Sequence, residues 1–174
     1  MTDRKKVLTL RIINAVFFII LILFQYNTVF EIKIRNATPL LPLALIVACC
    51  MFSSELTAAF TGLTVGVFLD CVSSTPQGFN AIIFMVTALA VSLIAKHLFN
   101  NNIFAAFTLC FLCSVFYFLT RWIFCFAFSL SLSENLNYLM RFALPGSLYT
   151  SVFIIPLYYL EKALYNKFYF IYKK

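Results

Sequence analysis

Few side chains in this sequence are suited to catalysis, and those few stand apart from one another. The one histidine, His97, follows Lys96 and has no acid at catalytic spacing. Cys110 and Cys113 form a C-x-x-C, but no second cluster of metal ligands accompanies it. At helical spacing within a Phe/Leu run these two read as small hydrophobes, as do Cys49, Cys50, Cys71 and Cys125, nearly all of them inside apolar runs. There is no H-E-x-x-H, no G-x-S-x-G and no glycine loop followed by lysine to cradle a phosphate. Hydrolysis inside a membrane needs paired acids, a Ser–His pair or metal ligands at one depth. The deeper parts of the apolar runs offer instead one acid, Asp70, and one cation, Arg121. The residues therefore argue for a non-enzyme with no catalytic group, no cofactor and no metal site.

Asp70 ends a regular series. Ala58, Gly62, Gly66 and Asp70 recur every four residues, so on a helix they share one face. Gly62 and Gly66 form a G-x-x-x-G. In lipid no hydrophobic force drives helices together, and small residues that let two backbones approach are the usual route to tight packing. Thr61 and Thr64 are placed to add hydrogen bonds between helices. The face serves either packing within the chain's own bundle or a subunit interface. An acid near the C-terminus of a helix meets an unfavourable dipole, so Asp70 requires a partner, a wet cavity or a proton. If its helix runs outward, Asp70 lies about 20 Å from the cytoplasmic start, level with Arg121. We expect an Asp70–Arg121 ion pair, with Arg141 as the other candidate partner; the alternative is that Asp70 reaches water at the outer headgroups.

The elements that must position these residues are membrane helices. The chain of 174 residues is 63% hydrophobic and 11% charged, with a mean hydropathy of +0.97. A soluble domain is about 45–50% apolar and about 25% charged, so this chain lacks the polar surface to cover a globule in water. A bilayer core about 30 Å thick takes about 20 helical residues per crossing. Apolar runs at 7–24, 39–52, 56–72, 79–95, 103–132 and 143–160 give about six spans in one bundle, an all-α integral membrane protein whose single domain covers 1–174. The second and third runs are short, and part of the second reads equally as re-entrant. The fifth is longer than one crossing needs. Pro145 falls in the first turn of the sixth run, and Pro156 inside it predicts a kink.

The net charge of +7 does not point to nucleic acid, because the charges gather at the ends. With six spans and the N-terminus inside, Arg4, Lys5, Lys6, Arg11, Lys96, Lys162, Lys167, Lys173 and Lys174 are cytoplasmic, where anionic lipid attracts them. Only Lys33, Arg35 and Arg141 fall outside. An odd number of spans would leave one strongly basic end on the wrong side.

The order glycine, glycine four on, aspartate four after that, a short polar turn and then another glycine before the next run stands here as Gly62, Gly66, Asp70 and Gly78. It resembles the signature of the MreD family of bacterial rod shape-determining proteins. Length, basic start, Pro39/Pro42 and Pro145/Pro156 extend the likeness over the chain. The resemblance implies a non-enzymatic, multi-pass protein of the bacterial plasma membrane, working in the elongasome that guides lateral peptidoglycan synthesis and maintains cell shape. It implies protein–protein interaction with an MreC-like partner, alongside MreB, a SEDS glycosyltransferase and a class B transpeptidase. It also implies a fold like the six-helix substrate-binding subunits of energy-coupling-factor transporters, and makes the Gly62/Gly66 face and the Asp70 loop candidate docking surfaces. A vitamin-binding transporter subunit is the alternative of matching size. Such subunits usually carry an A-x-x-x-A-like pattern on the first helix, and the run LTLRIINAVFFIILILF offers Ala15 but no repeat.

Overall fold

A computed structural model describes residues 3–26, 38–73, 76–97, 102–125 and 143–169. Among them the chain forms six helices: α1 (Asp3–Tyr26), α2 (Leu41–Cys50), α3 (Glu55–Val72), α4 (Phe79–His97), α5 (Ile103–Cys125) and α6 (Leu144–Tyr169). Three contain stretches long and apolar enough to cross a membrane, at Glu55–Val72, Phe79–Lys96 and Ile103–Phe124, and Ile12–Gln25 and Leu41–Cys50 are shorter apolar stretches. Large side chains such as Leu23, Leu56, Phe60, Phe104 and Phe124 point outward, which suits a hydrocarbon solvent.

The helix directions follow from which residues meet. Asn14 and Gln25 on α1 bond to Cys49 and Leu41 on α2, so these two run antiparallel. In α5 and α6, Ser114 meets Ser147 and Cys110 meets Thr150, again antiparallel. Leu40 bonds to Thr150 while Phe52 stacks on Tyr158 and Tyr165, so α6 runs parallel to α2. The start of α1 and the end of α6 therefore share one side of the bundle, where Asn14 bonds to Glu161.

The short second run becomes the centre of the molecule. All ten residues of α2 are buried, and it packs against every other helix, most extensively α6. At 1.5 Å per residue it rises only about 15 Å. The chain before it is not helical: Pro39 and Leu40 are buried in irregular backbone, and the Leu40 N–H donates to Thr150 Oγ1 at 3.0 Å. That bond does in the interior what water does at a surface, since irregular backbone is tolerated at membrane depth only when protein satisfies it.

At its C-terminal end the sixth helix differs from the hydropathy reading. The sixth helix runs to Tyr169, nine residues beyond the expected end at 160, because exposed Lys162 and Lys167 extend it without disturbing its buried face. Pro156 lies within it. The fifth run is described as α5 as far as Cys125, and the rest of that run, to 132, lies outside the described residues, as do Lys33, Arg35, Arg141, Lys173 and Lys174. The side chains of Arg4, Lys5, Lys6, Arg11, His97 and Cys125 lie outside them too.

Candidate functional site

The helix face of Ala58, Gly62 and Gly66 is buried, and what covers it is α4 of the same chain. A Cβ on Gly62 would fall on the Phe84 carbonyl and 2.8 Å from the Ala88 Cβ. On Gly66 it would stand 2.5 Å from the Ala81 Cα and 2.6 Å from the Asn80 carbonyl oxygen. The contacts are with backbone, so no rotamer change relieves them. Here glycine serves close approach and not a special dihedral. Thr61 and Thr64 do not bridge helices. Their hydroxyls donate back along α3, Thr61 to the Thr57 carbonyl at 2.7 Å and Thr64 to those of Phe60 and Thr61 at 3.0 Å, the usual way to hide a hydroxyl inside an apolar helix.

The close approach delivers Asp70, in the last turn of α3, to the first turn of α4. Its Oδ2 accepts from the backbone N–H groups of Gly78 and Ala81, both at 3.1 Å. Its Oδ1 accepts from the Asn80 N–H at 3.0 Å and from Asn80 Nδ2 at 2.8 Å. The remaining N–H of this turn, on Phe79, donates to the Pro76 carbonyl at 3.1 Å. The first turn of a helix carries N–H groups with no partner in the helix itself, and the dipole there favours negative charge. Asp70 is thus badly placed on its own helix and well placed on the next: it acts as the N-cap of α4, supplied from α3. Gly78 makes the geometry possible with φ +87°, in the left-handed region that a side chain strains. Gly78→Ala should cost about 1–2 kcal/mol from that strain alone, read as a lower melting temperature in detergent, because a Cβ there would meet nothing within 4 Å.

The network continues inward. Asn80 is fully buried, and its amide also donates to Ser73 Oγ at 3.1 Å while its Oδ1 accepts from the Tyr117 hydroxyl at 2.9 Å. Tyr117, on α5, is 2% exposed and packs among the rings of Phe79, Phe84 and Phe118. Asp70, Asn80 and Tyr117 therefore tie α3, α4 and α5 together by one chain of polar contacts. Tyr117→Phe removes one donor from a buried amide oxygen and should lower stability by about 1 kcal/mol in a detergent melt.

A model of the rod shape-determining protein MreD matches residues 5–168. The chain belongs to the MreD family. No curated protein and no solved structure matches it. Membership makes it a rod shape-determining membrane protein, and it places the glycines, Asp70 and Gly78 within the matched region.

In this MreD chain the expected Asp70–Arg121 ion pair is not among the contacts of either residue. The carboxylate's oxygens are taken by N–H donors, and Arg121, half-buried on α5, leaves its Nε without a hydrogen bond among the described residues. The one ion pair the described residues show in full is Lys96–Glu55 at 2.9 Å, at the opposite end of the α3–α4 hairpin. The C-x-x-C is packing material: Cys110 is buried with its Sγ 3.7 Å from the Thr150 carbonyl, and Cys113 is half-buried. Asn80 and Tyr117 escaped the sequence reading. The position of Asn80 just after Gly78, at a helix start, was the available signal for the first. For the second, an amphipathic ring inside an apolar run gives none.

Proposed function

We propose that this protein is a non-enzymatic membrane subunit of the bacterial elongation complex, which supports lateral peptidoglycan synthesis and cell shape by binding an MreC-like partner. Membership of the MreD family carries this reading. The use of Asp70 is in keeping with it: the only acid deep in an apolar run has its oxygens engaged by four N–H donors of the neighbouring helix, as in a structural cap and not a catalytic group. The polypeptide forms one multi-pass unit of six spans, arranged as in the energy-coupling-factor substrate-binding subunits, with both termini cytoplasmic. The shared side of the α1 start and the α6 end supports that topology, and the basic residues at both ends choose the cytoplasmic side and meet anionic lipid. The Gly62/Gly66 face is occupied by α4, so the partner's helix is to be sought on outward apolar faces such as that of Leu56, Phe60, Val67 and Phe68 on α3. Partners beyond the MreC-like protein are MreB and the SEDS glycosyltransferase with its class B transpeptidase.

The test is purification of the native protein in mild detergent, with mass spectrometry of what stays bound. Recovery of an MreC-like protein or a cell-wall synthase supports the proposal. Recovery of transporter ATPase subunits, or of a stoichiometric vitamin, would overturn it.

A further inference from the structure

Glu161 is the only Asp, Glu, Lys or Arg side chain that is buried among the described residues, at 4% exposure, and the shape-determining role gives it no task. It sits on α6 facing α1 and α2. Its Oε2 accepts from Asn14 Nδ2 at 3.3 Å, and the same nitrogen reaches Cys49 Sγ at 3.5 Å. The other half of each group is orphaned: Glu161 Oε1 and Asn14 Oδ1 are both buried without a hydrogen-bond partner. The Cys49 thiol also hydrogen-bonds the Glu161 carboxyl group. A carboxylate, however, has no hydrogen to give and an amide oxygen can only accept, so an ionised Glu161 still leaves Oε1 and Asn14 Oδ1 without a donor. Each orphan of this kind carries the desolvation penalty of a buried polar group, and more where charge is involved.

Among the described residues no cation resolves the problem. From α2 the neighbours are the thiols of Cys49 and Cys50; from α1 the facing group is the Asn14 amide, with the Arg11 side chain, one turn away, outside the described residues. On α6 itself Lys162 is exposed and lies over the Tyr158 ring at 5.7 Å from its centre, and Tyr165, one turn on, stacks with Phe52.

We infer that Glu161 is a proton-binding site: it is held as the neutral acid, and its Oε1–H donates to Asn14 Oδ1. One added proton satisfies both orphans at once. With the Nδ2–H···Oε2 bond it closes a cyclic acid–amide pair that fastens α1 to α6. The pair matters because α1 is otherwise held beside a gap. A cavity of about 450 Å³ separates it from the end of α2 and from α3, lined by Asn14, Phe18, Ile22, Cys49, Thr57 and Phe68 among others. The folded state then keeps a proton that a glutamate in the unfolded chain gives up at about pH 4. Stability is fully present in acid and falls as the pH rises far enough to ionise the buried group.

The experiment uses the full chain in detergent. The infrared difference spectrum of wild type minus Glu161→Gln, at neutral pH, should show the carbonyl stretch of a protonated carboxyl group. Glu161→Gln supplies an N–H in place of the O–H, so it should melt close to wild type, whereas Glu161→Ala and Asn14→Leu melt clearly lower. Wild type should lose melting temperature relative to Glu161→Gln as the pH is raised. A difference spectrum holding only carboxylate bands overturns the inference, as does a Glu161→Gln variant that fails to fold or melts as low as Glu161→Ala. Melting that rises with added sodium, without the carboxyl band, would assign the two oxygens to a cation and overturn it equally.

Discussion

Asp70→Ala is expected to lower the stability of the folded bundle by about 2–4 kcal/mol, the loss of a charged cap and of several charge-assisted hydrogen bonds together. Three backbone N–H groups and the Asn80 amide lose their acceptor at once. Asp70→Asn should recover only part of this, because one amide oxygen replaces two carboxylate oxygens and the new NH₂ points donors at donors. Unfolding measured in mild detergent, with thiol accessibility of the buried Cys110 as the reporter, distinguishes the two variants. Because the damage is to the α3–α4 corner and not to an ion pair, Arg121→Ala should leave stability within about 1 kcal/mol of wild type, a far smaller effect than Asp70→Ala. Equal losses in Asp70→Ala and Arg121→Ala would mean that the two residues do act as a pair.

The second large effect belongs to the glycine face. Gly62→Ala and Gly66→Ala each drive a methyl into the backbone of α4, and separating the two helices enough to admit it forfeits the packing and the reach of Asp70 together. Overpacking costs about 1–3 kcal/mol where side chains can yield; here carbonyls and Cα atoms are in the way, and the expected result is loss of most folded protein. Gly146→Ala is the control. Its added Cβ would meet the tip of the Phe118 ring at 2.9 Å, and a ring can swing where a backbone cannot. The yield of monodisperse protein should rank wild type, then Gly146→Ala, then Gly62→Ala and Gly66→Ala well below. A Gly66→Ala protein as abundant as Gly146→Ala would refute the close approach.

The four-residue series from Ala58 to Asp70 was legible in the sequence because helix geometry turns that period into a face. Most of what lies under the face was not. The partner of Asp70 escaped because it is the main chain, which every residue carries; a search among side chains for opposite charge arrives at Arg121 and stops. The limits of the first, third and fourth helices fall within about four residues of the hydropathy runs. The second failed in a different way. A run of 14 residues from 39 to 52 contains a helix of only ten, since Pro39 and Leu40 stay outside the helix and the Leu40 N–H donates to Thr150 Oγ1. Glu161 was hidden by its neighbours: next to Lys162 it looks like the start of a charged tail, while the helix carries it back to the buried side.

The central helix also dictates an order of events during synthesis. α2 is too short to rest in lipid as a full span, and its most extensive packing and the acceptor for Leu40 come from α6, about a hundred residues later in the chain. At about 5–20 residues per second, the ribosome delivers that partner roughly 5–20 s after α2 emerges. Throughout that interval the future core of the molecule is its least settled part, and α6 is the helix that seats it.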